Sequence, residues 1–546
     1  MKALLLILII SAFFRLVNLD TLPISLSGDE VDVGYQAWSL GTTGKDYFGN
    51  NLPTYIHSFS EWRTPLLMYV VAPFVTIFGP SAFSVRLPIA LLGISNILLL
   101  YLLGKKLFPK TSIGIFSALL LSLTPWHLHY SRAAFEATLL LSLILLSVYA
   151  FLNKKYFIFA ICSALTFYTY STAIVFLPLL TISLLYFYRN QTVFKSLIRP
   201  FCLLLILLSP MIYQVVWGHA SGRFSLISIF NDQKQIESII LLRTQAWISN
   251  PSLEPIFHNK LISWTTAFSS NYLQAFSPKF LFISGDPNFR QSIGSYGELF
   301  IVLLPLLIVG IFLSLRNLKD NSSKLLLSWL LISPLSASLT QGGGTHATRL
   351  FVMLPPLIII SSLGLDKLVS LQKGRLKLAS ICLFLILIGY QFGSYWHDYS
   401  VHYRSKSYQV WQYGYFEIFE KLVKIQAGAD RIFINNTYEP SLLRFLFFTK
   451  YPPAKFQKTF LSDETITGLL TNFDGFRLDN TYYFGQVRIN TPIDNILKPG
   501  DIYLVAQTKE ATGNWDWTKS PPGNINVINY TTDIFGKPLF YLISKK

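Results

Sequence analysis

Runs of apolar residues long enough to cross a lipid bilayer recur along this chain, and they limit its possible folds more than any other feature. Ala3 to Leu19, Leu87 to Leu103 and Leu299 to Leu315 each approach the about 20 helical residues that span a hydrocarbon core of roughly 30 Å. Within such a core each backbone N–H and C=O must be satisfied inside the chain, so repeated runs of this length imply a helical bundle. Composition agrees: of 546 residues, 52% are apolar and only 13% are charged, far from the mixture of a water-soluble domain. The net charge of +17 would suit nucleic acid. The cations instead form short clusters between apolar runs, which is the pattern of topology signals, so no nucleic-acid partner is expected. Cys162, Cys202 and Cys382 lie in apolar stretches without metal-ligand spacing and read as packing residues. The first run reads either as a secretory signal or as a retained span. No small-residue cleavage site follows it and Arg15 stands near its end, which favours a retained span.

Spans are expected near 3–19, 84–103, 111–126, 134–152, 156–171, 173–188, 200–217, 297–315, 324–340, 350–365 and 376–393, about eleven helices in a polytopic α-helical membrane protein. Alternate loops are then short and basic: Lys105, Lys106 and Lys110; Lys154 and Lys155; Arg189, Lys195 and Arg199; Arg316, Lys319 and Lys324; Lys367, Lys373, Arg375 and Lys377. Basic loops stay in the cytoplasm. The chain is therefore expected to be a multi-pass protein of the cytoplasmic (inner) membrane. Its first outer loop is 20–83 and a long outer loop runs over 218–296. The tightest connection is a hairpin around Tyr170-Ser171-Thr172. Beyond about Gly393 apolar density falls and amphipathic and alternating segments take over, so 1–393 reads as the membrane domain and 394–546 as a small extracytoplasmic α/β domain. Tyr408 to Ile425 reads as a helix, and Arg431 to Asn435, Asp501 to Ala506 and Leu539 to Ser544 as strands. No internal repeat supports an inverted-repeat transporter.

Chemistry-bearing residues gather in the outer loops. The first loop opens Ser25-Leu26-Ser27-Gly28-Asp29-Glu30, two acids directly after a membrane helix. A carboxylate at a partly desolvated membrane rim suits a general base. The same two acids also suit the first turn of a helix over Val31 to Leu40, where they favour its dipole. The loop ends Glu61-Trp62-Arg63-Thr64-Pro65-Leu66, just before the apolar segment Leu66 to Phe78. Arg63 is either a bidentate phosphate ligand or an interfacial anchor beside Trp62. Arg86, in Ser84-Val85-Arg86-Leu87-Pro88, reads as structural. In the second outer loop Arg132 and Glu136 are four residues apart and are expected to share a helix face, as a salt bridge or as polar lining of a cavity. His127 and His129 lack the spacing of a metal site. Gln341-Gly342-Gly343-Gly344-Thr345-His346-Ala347-Thr348-Arg349 is a glycine-rich outer turn in which backbone can approach a ligand, with Arg349 at phosphate depth. It lacks the pattern of a nucleotide loop. Acids and cations from four separate outer loops thus meet on one membrane face.

These elements resemble membrane glycosyltransferases of the GT-C fold, in particular bacterial relatives of the protein O-mannosyltransferases and of the aminoarabinose transferase that modifies lipid A. The resemblance covers roughly 1–393. It is carried by Gly28-Asp29-Glu30, Arg63-Thr64-Pro65-Leu66, Phe83-Ser84-Val85-Arg86-Leu87-Pro88, Ser131-Arg132-Ala133-Ala134-Phe135-Glu136, and His346-Ala347-Thr348-Arg349-Leu350 followed by Leu354-Pro355-Pro356. Relatives carry lysine or histidine and paired prolines where this chain has Arg63 and Pro65. The resemblance implies an inverting transferase that moves a sugar from a polyprenyl-phosphate donor to an acceptor hydroxyl of a protein, lipid or glycan. Asp29 would be the catalytic base, with Glu30 orienting it or the acceptor. Arg63 and Arg349 would hold the phosphate, with Arg132, Glu136 and His346 also in the binding site. Cations then suffice to stabilise the leaving phosphate, so no cofactor is required and no motif calls for a divalent metal. In the loop from Gly218 to Ser295, Arg223, Arg243, Tyr272 and Arg290 could cover the cavity. Two other readings compete: a lipid-linked oligosaccharide polymerase or ligase, with its key cations in one large outer loop, and a transporter, with charges near helix midpoints.

Overall fold

A computed structural model describes residues 2–59, 62–218, 227–245, 254–436, 440–460, 473–488, 493–506 and 516–546. Arg223 and Glu61 lie outside them. A helix stands at each expected apolar run: α1 (Lys2–Leu16), then, after two helices in the first outer loop, α2 (Gly28–Thr43) and α3 (Leu66–Phe78), comes α4 (Ala82–Leu107). Thr111–Leu123, Glu136–Leu152, Tyr156–Phe167, Ala173–Phe187, Ile198–Val216, Leu303–Arg316, Asn321–Ile332, Leu354–Leu371 and Gly374–His397 follow. Four helical stretches, Ala82–Leu107, Phe194–Val216, Ala347–Leu371 and Gly374–Ser407, are by length and composition able to cross a membrane, and the apolar helices Leu66–Phe78, Thr111–Leu123, Glu136–Leu152, Tyr156–Phe167, Ala173–Phe187 and Leu303–Arg316 are shorter.

Two helices show what surrounds the bundle. Ile198–Val216 exposes Phe201, Leu205, Ile206 and Ile212, and Gly374–His397 exposes Leu376, Leu378, Leu383 and Leu387; apolar surface this continuous is stable against hydrocarbon and not against water. Inside the bundle, helix pairs approach through small residues. A Cβ on Gly310 would sit 1.9 Å from the Ile360 carbonyl oxygen, and one on Gly364 2.0 Å from that of Leu306, so Leu303–Arg316 and Leu354–Leu371 pack backbone to backbone, as membrane helices do.

The first outer loop is folded. Ser27 caps α2 with a capping box, and the short strands β1 (Ile56–His57) and β2 (Trp62–Arg63) pair antiparallel, Ile56 opposite Arg63. The Thr64 hydroxyl donates to the Thr169 carbonyl at 2.7 Å and the Leu66 amide to that of Tyr168 at 3.0 Å. The hairpin after Tyr156–Phe167 thus holds Arg63 in place.

The last bundle helix runs past residue 393 to His397, and the chain stays helical to Ser407. The C-terminal region is a six-stranded mixed sheet in the order β4-β5-β3-β6-β8-β7, formed by β3 (Ile432–Asn435), β4 (Phe473–Leu478), β5 (Tyr482–Val487), β6 (Ile502–Ala506), β7 (Ile525–Thr532) and β8 (Pro538–Lys545). β3 is parallel to β5 and β6, and the remaining pairs are antiparallel. Residue alternation divides its two faces. Ile432, Ile434, Leu504 and Leu542 pack with Phe419 and Phe445 of the helices Tyr415–Ile425 and Leu442–Phe448, in a core that also takes in Val31, Tyr35 and Val71 of the first outer loop. Phe433, Tyr503, Val505 and Tyr541 form a second core on the opposite face. The helix read from Tyr408 begins only at Tyr415, because Gln412 and Gly414 have positive φ and break the helical run. Polar contacts fasten the two regions: the Tyr35 hydroxyl donates to the Tyr451 carbonyl at 3.0 Å, and Gln457 Nε2 donates to Ser39, Thr43 and the Asp46 carbonyl.

Candidate active site

Asp29 and Glu30 are neighbours in the first turn of α2, and the helix sends them to opposite tasks. Glu30 closes the capping box: its carboxylate accepts from the Ser27 amide at 3.1 Å, and Ser27 Oγ accepts from the Glu30 amide at 3.4 Å. It also accepts from Arg86 Nε at 2.9 Å, Arg86 Nη2 at 3.1 Å and the Ala134 amide at 3.0 Å. Arg86 further donates to the Leu19 and Pro23 carbonyls and lies over the Trp411 ring. With residue exposure of 2%, Glu30 has no face left for a substrate. In the structure it joins α1's exit, α2 and α4.

Asp29 points the other way. Arg63, on β2, donates to its Oδ1 and Arg290 Nη1 donates to its Oδ2 at 2.6 Å, while the Asp29 side chain stays 41% exposed. Arg63 is nearly buried, with Nε 3.5 Å from Asp32 Oδ2. Asp32 is one helical turn after Asp29, so both carboxylates lie on one face of α2. It accepts a bond from the Tyr47 hydroxyl at 3.1 Å. Burial pushes the Asp32 carboxyl up to about 6, and Arg63 and the Tyr47 hydroxyl draw it back only in part.

Arg290 comes from the long outer loop, and the loop is pinned where it meets the bundle. Asp286 accepts from the Asn288 and Ala347 amides, both at 2.8 Å. His129 Nε2 lies 2.8 Å from the Arg290 carbonyl, and the Tyr403 hydroxyl donates to that of Phe289. Burial raises the Asp286 carboxyl above its ordinary range, against the pull of those amides, Arg349 and Arg290. His346 and Arg349 belong to this neighbourhood. His346 Nε2 lies 3.5 Å from Gln291 Nε2, and Arg349 Nη1 donates to Thr340 Oγ1 at 2.6 Å and to the Gln341 carbonyl at 3.1 Å. The turn between them needs glycine for space, since a Cβ on Gly343 would sit 1.8 Å from the Ala337 carbonyl oxygen.

Arg132 does not form the expected pair with Glu136. Residue 135 is extended and the helix begins at Glu136, so the four-residue spacing does not bring the two onto a common helix face. The Arg132 guanidinium is fully buried. It donates to the carbonyls of Phe14, Val17, Asn18 and Leu22 and lies over Trp396 and Tyr399. In the structure it holds the end of α1. Glu136 stands half-buried at the start of its helix.

The structure thus joins Asp29 and Arg63 directly, brings in Arg290, and links His346 and Arg349 to the same loop through Asp286 and Gln291. Sequence reading missed Asp32, although its spacing from Asp29 was the available signal, and assigned no role to Arg290.

The chain superposes on ArnT from Cupriavidus metallidurans bound to undecaprenyl phosphate, with a TM-score of 0.53 at 12% identity, covering 98% of this chain and 97% of that chain. The apo state of that ArnT gives 0.54 at 11% identity with the same coverage. At this identity the likeness establishes the fold. Residues 62–217 match the family described as dolichyl-phosphate-mannose-protein mannosyltransferase. No curated protein matches the chain in sequence. The protein is a membrane protein of the GT-C fold. Within that class it is related to ArnT through its fold, and to the mannosyltransferase family through residues 62–217.

Proposed function

We propose that the chain is an inverting glycosyltransferase that moves a sugar from a polyprenyl-phosphate donor to an acceptor hydroxyl, with Asp29 as the base. The observation that carries this reading is the exposed Asp29 carboxylate held between Arg63 and Arg290. The two cations fix the orientation of the carboxylate, and cations at the same place suit a phosphate. ArnT of the same fold is bound to undecaprenyl phosphate, which supports the donor class.

In the reaction the acceptor oxygen attacks the anomeric carbon as its proton passes to Asp29. The bond between that carbon and the phosphate oxygen breaks, and polyprenyl phosphate leaves with the electron pair. Arg290, with Arg63 and Arg349, stabilises the charge that grows on the phosphate, and no general acid is needed. Orientation follows from charge: Lys106, Lys154 and Lys319 gather around one cavity formed by the short basic loops, which supports a cytoplasmic placement of that end and an outer placement of the Asp29 end.

The test is transfer from a radiolabelled lipid-linked sugar by the purified chain, compared with Asp29→Asn. Loss of a general base costs about 10²–10⁴-fold in rate. Full activity in the variant would remove Asp29 as the base. Mass spectrometry of surface glycans with and without the protein identifies sugar and acceptor together.

A further inference from the structure

A cavity of about 860 Å³ opens where the bundle meets the C-terminal region, and Asp29 is not among the described residues that line it. It is lined by the loop after α1, the start of α4 and the segments around residues 404–417 and 447–450. Phe83 and Phe416 provide apolar wall, and four charged residues, Arg404, Lys450, Asp20 and Glu417, reach it. Its apolar side is continuous with the bundle surface, because Ile77 and Phe78 at the end of α3 and Phe83 at the start of α4 are all exposed. Such a surface offers an acyl chain a continuous apolar path into the cavity.

Arg404 marks where a polar head would rest. It lies on the helical continuation of the last bundle helix, and its Nε is buried with no hydrogen-bond partner among the described residues. A buried guanidinium nitrogen without an acceptor is costly, and a phosphate supplies acceptors in a matching plane. Lys450, held at φ +54°, adds a second cation. The acids then bear on the choice of occupant. Glu417 accepts from the Tyr413 hydroxyl at 2.9 Å through one oxygen, and the exposed Asp20 also lines the cavity.

The geometry points to a binding site for a zwitterionic phospholipid, its phosphate at Arg404 and Lys450, its ammonium near Glu417 and Asp20, and its chains along Phe83 and Phe416. Nothing in this site needs sugar transfer, so it stands or falls separately from Asp29. A head group bound here would also tie the C-terminal region to the membrane beside the bundle.

Native mass spectrometry of the full, lipid-stripped chain reads the site, with phosphatidylethanolamine, phosphatidylglycerol or diacylglycerol of equal chain length added in turn. Phosphatidylethanolamine is expected to be retained best and diacylglycerol least. In Arg404→Gln/Lys450→Gln its retention should fall about 10-fold or more, the loss expected when charged hydrogen bonds are removed. Lys106→Gln/Lys154→Gln, at the far end of the bundle, should leave retention unchanged. Phe416→Glu, on the exposed wall, should lower the retention of all three lipids, and unchanged thermal unfolding of each variant shows that the fold is kept. Four results would overturn the site: equal retention in the Arg404/Lys450 variant, diacylglycerol held as well as phosphatidylethanolamine, phosphatidylglycerol held as well or better, or inorganic phosphate protecting the chain from unfolding as fully as the phospholipid.

Discussion

Arg290 and Asp29 stand 261 residues apart in sequence and 2.6 Å apart in space. A phosphate brought beside them competes for the Arg290 guanidinium, since a doubly acceptor-rich anion offers it more than one carboxylate oxygen does. Under the proposed function, donor binding is expected to loosen Arg290 from Asp29 and leave the carboxylate to the acceptor.

Arg290→Ala should accordingly weaken donor binding about 10- to 100-fold, the value of a charged hydrogen bond, and Arg290→Lys should recover part of it because charge survives without the planar fork. Steady-state kinetics against lipid-linked sugar separate the two effects. An unchanged KM in Arg290→Ala would exclude the residue from the donor site.

Glu30 should behave unlike its neighbour. Removing one member of a buried ion pair costs about 3–5 kcal/mol because the other charge is left without its partner, and Glu30 also satisfies the Ser27 and Ala134 amides. Glu30→Gln is thus expected to lower thermal stability strongly, whereas Asp29→Asn, at a half-exposed site, should leave it nearly unchanged while transfer is lost. Replacing Glu30 by Gln and Arg86 by Met together should cost less than the sum of the single changes. Glu30→Gln with wild-type stability would show that the pair is not what holds the loop.

How far the sequence disclosed this site depended on local context. Asp29 and Arg63 each had a structural reading of their own and stood out only because charges from several outer loops fell on one membrane face, whereas the helices were legible from apolar length alone. Glu30 stayed open between two readings because an acid at the third position of a capping box and a catalytic acid look alike in sequence. Arg132 was misread because a spacing of four means contact only inside a helix, and the helix begins at Glu136. Arg290 lies in a long loop without periodicity, and its partner is set by tertiary packing. In the C-terminal region β3, β6 and β8 were anticipated near their bounds. β4, with Gly475 and two charged residues in Phe473–Leu478, carries too little apolar alternation to announce itself.

Asp32 yields a prediction with a definite sign. Its carboxyl lies at about 6 in the folded chain, raised from an ordinary 3.8 chiefly by burial. Below about pH 4 both folded and unfolded chains hold the proton, and the stabilisation is fully present. As pH rises towards 6 the unfolded chain releases its proton first, so stability falls, and above about 6 the two states again differ by a constant. The gap between 3.8 and about 6 amounts to about 3 kcal/mol. Thermal unfolding of the wild type and Asp32→Asn in one detergent, from pH 4 to pH 8, isolates this contribution from the other titrating groups. The wild type should lose stability relative to the variant as pH rises through that window, and no further above it. Parallel curves across the range would mean that Asp32 titrates as an ordinary carboxylate and that Arg63 alone determines its charge.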